Sequence, residues 1–250
     1  MVLGNVIGSN ILNTFLILGI AAVINPIIVK ENTVRKELPI SILISTLLIV
    51  LFLDIQLAGG SINQITRSDG IVILLFFLVF VYYLVSLARK EKDKDKLEKP
   101  KFGLFKSLVF VIIGIGGIII GSDLVVTNAI KIATILGLSE RVIALTIIAF
   151  GTSLPELITT IVSSKKGEQD LLLGNIIGSN IFNICVVLGI PVAIFGTVTP
   201  SSFNGIDLVM LVTSSVLLYI FSKTHKKISR FEGIIMLIAF LIYYILVFVI

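Results

Sequence analysis

The sequence predicts an all-α integral membrane protein arranged as an inverted repeat. Three observations carry that expectation: an oily composition, eight apolar runs separated by charge, and one polar phrase written twice. Residues AVILMFWYC make up 56% of the 250, charged residues only 14%, and mean hydropathy is +1.12. Soluble domains carry about 25% charged residues, so the chain belongs in lipid. A single Cys, Cys185, and a single His, His225, exclude a disulfide framework and a zinc cluster, which need several such side chains together. The first apolar stretch is interrupted by Gly, Ser and Asn and has no basic start, unlike a signal peptide. Trp is absent, so an interfacial aromatic belt falls to Tyr and Phe.

A crossing helix needs about 20 apolar residues. Runs of that size lie at 3–25, 39–57, 70–88, 105–136, 140–163, 171–196, 205–222 and 231–250. Charged loops separate them. The first run stops before Lys30, Arg35 and Lys36, and the third before a dense run, "RKEKDKDKLEKPK", at 89–101. The fourth is long enough to tilt or bend, with Gly114, Gly116, Gly117 and Gly121 as places for the bend. The fifth ends before Lys165 and Lys166, and the seventh before Lys223, Lys226, Lys227 and Arg230. With alternating crossings, one side collects 17 of the 20 basic residues, leaving Arg67, Lys131 and Arg141 for the other. By the positive-inside rule that side is cytoplasmic and both termini are outside. The net charge of +5 therefore reads as an orientation signal, not a nucleic-acid surface. Three parts follow: helices at 1–88, a basic cytoplasmic linker at 89–104, and helices at 105–250. The linker is a solvated loop or a lipid-headgroup or regulatory contact.

The repeated phrase gives the inversion. Residues 3–20 and 173–190 match at 12 of 18 positions with a constant offset of 170. The copies lie five crossings apart and so run in opposite directions, the arrangement of secondary transporters that build ion sites where two halves meet. Gly4 and Gly8, like Gly174 and Gly178, form G-x-x-x-G pairs suited to close helix packing. Packing leaves the polar atoms unexplained. Ser9 and Asn13, and likewise Ser179 and Asn183, stand four apart on one helix face. They serve either interhelical hydrogen bonds or ion ligation.

The fifth run contains "AFGTSLPEL" at 149–157, with Glu156 deep in apolar sequence. Lipid cannot solvate a carboxylate, so this residue is paired with a base, kept protonated, or functional. Pro155 has no N–H for the carbonyl of Gly151, and its ring presses on that carbonyl. The helix should open there. Carbonyl oxygens near Ala149 to Thr152, the hydroxyls of Thr152 and Ser153, and Glu156 then offer hard oxygen donors suited to Na+ or Ca2+, with Ser179 and Asn183 completing the shell.

"GTSLPEL" followed by "GNIIGSNIFN" resembles the second alpha-repeat of the sodium/calcium exchanger family, the cation/Ca2+ antiporters, and "LGNVIGSNILN" resembles the later part of the first. The segment at 121–157 is similar to the family's lead-in helix, and the resemblance spans essentially the whole chain. It implies ten helices in two inverted halves of five. Ion ligands by resemblance are Thr152, Ser153, Glu156, Ser179, Asn183 and the Ala149 carbonyl, with Ser9 and Asn13 from the first half. Some members carry Asp where this chain has Asn13 and Asn183, so two amides imply K+ independence. The linker is too short for the regulatory Ca2+-binding domains of animal exchangers.

Set against that pattern, the resemblance leads us to expect that two helices before the first phrase, with a counterpart of Glu156, are not part of this sequence. It therefore holds three helices of one half and five of the other. A divalent ion facing one carboxylate keeps a net positive charge in a poorly polarisable site, so these eight helices alone are expected to bind Ca2+ weakly. The leading expectation is exchange of Na+ for Ca2+ across a plasma membrane by alternating access. The transported ions are the only bound groups expected, with no cofactor and the lipid bilayer as partner. Alternatives are H+/Ca2+ antiport, a channel, and an inactive fragment or assembly partner. An enzyme is not expected and ranks last among the readings, since no nucleophile with a base, phosphate loop or metal cluster can be assembled.

Overall fold

The computed structural model describes residues 2–91, 103–198 and 205–249. Helices occupy each apolar run. We label them α1 (Val2–Ile24), α2 (Leu38–Phe52, entered through a π-helical turn at Thr33–Glu37), α3 (Asp54–Ala58), α4 (Arg67–Glu91), α5 (Leu104–Ile135), α6 (Arg141–Thr152), α7 (Leu154–Lys166), α8 (Gln169–Phe195), α9 (Gly205–Lys223) and α10 (Arg230–Val249). Among the described residues five helices, α1, α4, α8, α9 and α10, are long and apolar enough to cross a membrane, or six if the bent pair α6–α7 counts as one. α2 has 15 residues and falls short of that length. α5 continues unbroken through the four glycines expected to bend it, and a Cβ at any of them would meet open space. Most of the predicted linker, residues 92–102, lies outside the described residues.

α1 is the centre of the molecule. Leu3, Val6, Ile7, Ile11, Leu12 and Phe15 are all fully buried. Its last turns lie against α10, so close that a Cβ on Gly233 would stand 2.9 Å from the Gly19 carbonyl. α8 meets α4 in the same way, a Cβ on Gly70 falling 3.0 Å from the carbonyl of Gly189, the residue 170 places beyond Gly19. Such contacts require glycine because backbones in lipid gain by approaching closely. α2 and α9 are joined by the Ser45 and Ser215 hydroxyls, 3.1 Å apart and again offset by 170.

Two short antiparallel pairings tie the helix ends. β1 (Ile27–Ile28) pairs with β2 (Lys227–Ile228), and Ile65 bridges Val198. Beside the first, Glu31 takes ion pairs from Lys226 and Arg35, which hold its carboxyl below the ordinary range.

Candidate functional site

The helix breaks where the proline directs. α6 passes through a π-helical turn at Ala144–Ile148 and ends at Thr152, and α7 starts with Pro155 in its first turn at a bend of 44°. Ser153 absorbs the bend with φ −96° and ψ 2°, the bridge region between helix and strand. A proline fits the opening turn of a helix, so α7 resumes at once.

Two groups of oxygens flank the break. Upstream, the Ala149 carbonyl accepts the Ser153 N–H at 3.2 Å and the Thr152 hydroxyl at 3.1 Å, and the Ser9 hydroxyl of α1 donates to it at 3.4 Å. The Ser9 and Thr152 hydroxyls are 2.8 Å apart, and both reach the Asn5 side-chain oxygen, at 3.2 and 2.9 Å. Downstream, the Ser179 hydroxyl of α8 donates to Glu156 Oε1 at 2.9 Å. Glu156 Oε2 and the Ser153 hydroxyl are buried without a hydrogen-bond partner. Unmet buried oxygens cost about 1 to 3 kcal/mol each, so a group with positive charge or donor hydrogens is called for at this place.

Beneath them lies a cluster of four amides. Asn13 donates to the Asn180 side-chain oxygen at 3.1 Å, and Asn183 to that of Asn10 at 3.2 Å. Asn180 donates to Thr14 at 3.0 Å, and Asn10 to the Asn180 carbonyl at 3.1 Å. Asn13 Oδ1 is left buried and unpartnered.

The eight residues expected from the sequence thus fall into distinct settings. Ser9, Ala149 and Thr152 share one group, Glu156 and Ser179 form a second, and Ser153 lies between. Asn13 and Asn183 use their amide nitrogens to join the two copies of the phrase. Glu156 has the Ser179 hydroxyl as its partner; ion pairs elsewhere among the described residues include Lys30–Asp170, Arg35–Glu31, Lys226–Glu31 and Arg141–Asp207. No group of three or more His, Cys, Asp or Glu is found among the described residues, so the donors are hydroxyls, amides and carbonyls around a single acid.

Sequence reasoning missed several partners. Asn5, Asn10 and Asn180 stood in plain view, since "GN" and "SN" are identical in both copies of the phrase. Arg141, Asp207 and Tyr243 gave no such signal. Arg141 holds the fully buried Asp207 through two hydrogen bonds of 3.1 and 3.0 Å, and the Tyr243 hydroxyl donates to Asp207 at 3.1 Å. The Tyr244 hydroxyl donates to the Leu145 carbonyl at 2.8 Å, inside the π-helical turn. α9 and α10 thereby fix the start of the broken helix.

A proline-broken helix inside an apolar bundle, with one acid and unmet oxygens at the break, marks an integral, multi-pass membrane protein that handles ions in its interior. The chain belongs to the sodium/calcium exchanger family: the model of that family, described as sodium/calcium exchanger protein, matches residues 1–86 and 106–249. Members are ion exchangers rather than enzymes, and the transported Na+ and Ca2+ are their substrates. The chain is 35% identical to the inner membrane protein YrbG of Escherichia coli, over 97% of this chain and 75% of that one. It is 27% identical to the sodium/calcium exchanger MaX1 of Methanosarcina acetivorans, over 99% and 80% of the two chains. Among solved structures, it matches the sodium-calcium exchanger NCX_Mj soaked with Na+ and Sr2+, with a TM-score of 0.76 and 35% identity, covering 96% of this chain and 74% of that one.

Proposed function

We propose that the chain exchanges Na+ for Ca2+ by alternating access, with both ions competing for the oxygens around Glu156. The observation that carries this is the pair of unmet buried oxygens at the break, Glu156 Oε2 and Ser153 Oγ, beside the Ser179 hydroxyl. Ca2+ takes about 6 to 8 oxygens and Na+ accepts the same hard donors, so the two occupy the site in turn. In this reading Thr152, Ser153, Glu156, Ser179 and the Ala149 carbonyl are direct ligands, Ser9 and Asn13 contribute from α1, and Asn183 holds the copies in register. The amides Asn13 and Asn183, in place of acids, make exchange independent of K+.

The same reading places eight crossings in two inverted parts, residues 1–88 and 105–250, joined by the basic stretch at 89–104, in a plasma membrane with both termini outside. Inversion is supported by the amide pairs: Asn10 meets Asn183 and Asn13 meets Asn180, so one helix advances while the other retreats. The two serines, and Gly19 and Gly189 of the two glycine crossings, stand at the same offset of 170. A divalent ion beside Glu156 alone retains positive charge. The uncovered glycine face of α8, at Gly174 and Gly178, is the side from which a further anionic group would approach.

Ca2+ flux into vesicles carrying the protein tests the proposal. It should require an opposed Na+ gradient and disappear in Glu156→Gln. Flux driven by a pH gradient without Na+ would replace Na+ by H+ as the coupled ion, and undiminished flux in the mutant would reject the site.

A further inference from the structure

α7 is an amphipathic helix turned inside out. Ile158 and Val162 on one face are exposed at 46% and 45%, whereas Thr160, Ser163 and Ser164 on the other are 1%, 2% and 5% exposed. In lipid this orientation means that the polar face looks into the bundle, a habit of helices that line an aqueous cavity. With Ser153 and Glu156 the hydroxyl residues occupy one arc of the helix, at positions 153, 156, 160, 163 and 164. Lys165 and Lys166 fall outside that arc.

A Ser or Thr in a helix ordinarily bonds the carbonyl four residues back, as Thr159 does to Pro155 at 2.9 Å. Ser153, Thr160 and Ser164 do not. Their hydroxyls are buried without any hydrogen-bond partner. On the facing helix, Asn175 of α8 stands one turn before Ser179, on the face that meets Glu156, and its amide nitrogen, a donor that can hold a water of the ion's shell but not the ion, is also buried and unpartnered. α7 packs against both α8 and the last turns of α1, so the ladder runs inside the bundle. From Glu156 to Ser164 it extends about 12 Å, at about 1.5 Å per residue, towards the end of the helix that carries Lys165 and Lys166.

We propose that this ladder, Thr160 and Ser164 of α7 with Asn175 of α8, is the route by which a hard cation passes between Glu156 and the lysine-bearing side of the membrane. The inference rests on the exchange reading and adds its path. The hydroxyls replace part of the ion's hydration shell as it moves, and their lack of protein partners leaves them free to do so. None carries charge, so none traps the ion short of Glu156. Access from this side then requires only that α7 and α1 part enough to wet the ladder.

Cysteine accessibility tests the route. Single cysteines at Thr160 and Ser164, with Ile158 and Val162 as controls on the opposite face, are placed in a Cys185→Ala background. A charged, membrane-impermeant methanethiosulfonate is applied from either side of sealed vesicles, and total thiol is counted after unfolding. Thr160→Cys and Ser164→Cys should react from the Lys165 and Lys166 side at least tenfold faster than Val162→Cys, and saturating Ca2+ should slow them several-fold. Reaction no faster than at Val162→Cys, or from the other side only, overturns the route. Labelling is read without flux, so the two proposals fail separately: labelled ladder positions with full flux in Glu156→Gln uphold the route and reject the exchange site. Flux lost in Glu156→Gln with unreactive ladder positions does the reverse.

Discussion

The two copies of the repeated phrase are almost the same in sequence, yet they meet different halves of one broken helix. In the first copy, a Cβ on Gly8 would lie 2.7 Å from the Leu145 carbonyl and 2.8 Å from the Ala149 Cβ, so α6 lies directly on α1. In the second copy, a Cβ on Gly178 would meet nothing within 4 Å. Ser9 accordingly joins the neutral hydroxyl and carbonyl group before the break, and Ser179 the carboxylate after it. The chemistry of a repeated residue is therefore set by what packs on it. On the proposed reading, the serine beside a carbonyl helps to place a ligand oxygen, whereas the same serine beside an acid donates to the carboxylate that meets the ion.

Three sets of substitutions follow, in descending order of effect, the first on the ion pair that holds the broken helix and the other two on the copies themselves. Arg141→Met should remove what ties α6 to α9 and leave Asp207 buried without its cation, costing about 3 to 5 kcal/mol of stability in detergent unfolding. Combining it with Asp207→Leu should recover most of the loss. The serines come next. Ser179→Ala deletes a hydrogen bond to a charged group, worth about 1.5 to 3 kcal/mol, and should weaken apparent Ca2+ affinity roughly 10- to 100-fold. Ser9→Ala, a neutral contact of about 0.5 to 1.5 kcal/mol, should weaken it by roughly tenfold at most. Equal losses would erase the distinction between the copies. The glycines follow. Gly8→Ala forces a methyl against a backbone carbonyl and should destabilise by about 1 to 3 kcal/mol, while Gly178→Ala should stay within about 0.5 kcal/mol of wild type in the same unfolding measurement.

Local rules made part of this legible. A proline four residues after Gly151 fixes the break by covalent geometry, and a carboxylate next to it must be accounted for in any apolar helix. The offset of 170 places α1 and α8 as partners because a repeat that cannot bury its face alone packs on its twin. What escaped depends on tertiary approach. Asp207 opens an apolar run and Arg141 begins another, 66 residues away, so each looks like an ordinary helix end until the helices are brought together. The amides were legible only in part. Spacing put Asn13 and Asn183 on one face with Ser9 and Ser179 and left hydrogen bonding and ion ligation both open; that their nitrogens pair with Asn180 and Asn10 shows only once the two copies are packed together. The apolar run at 39–57 is divided between α2, which stops at Phe52, and the short α3, a break that hydropathy alone does not mark.

The central claim is that a carboxylate at the break and the hydroxyls around it form one site shared by two ions. Equilibrium Ca2+ binding to the purified protein, titrated against Na+, addresses it most directly. The account predicts that Na+ displaces Ca2+ competitively and that Glu156→Gln abolishes the displaceable component. Ca2+ binding that Na+ leaves untouched, or that survives intact in Glu156→Gln, would contradict it.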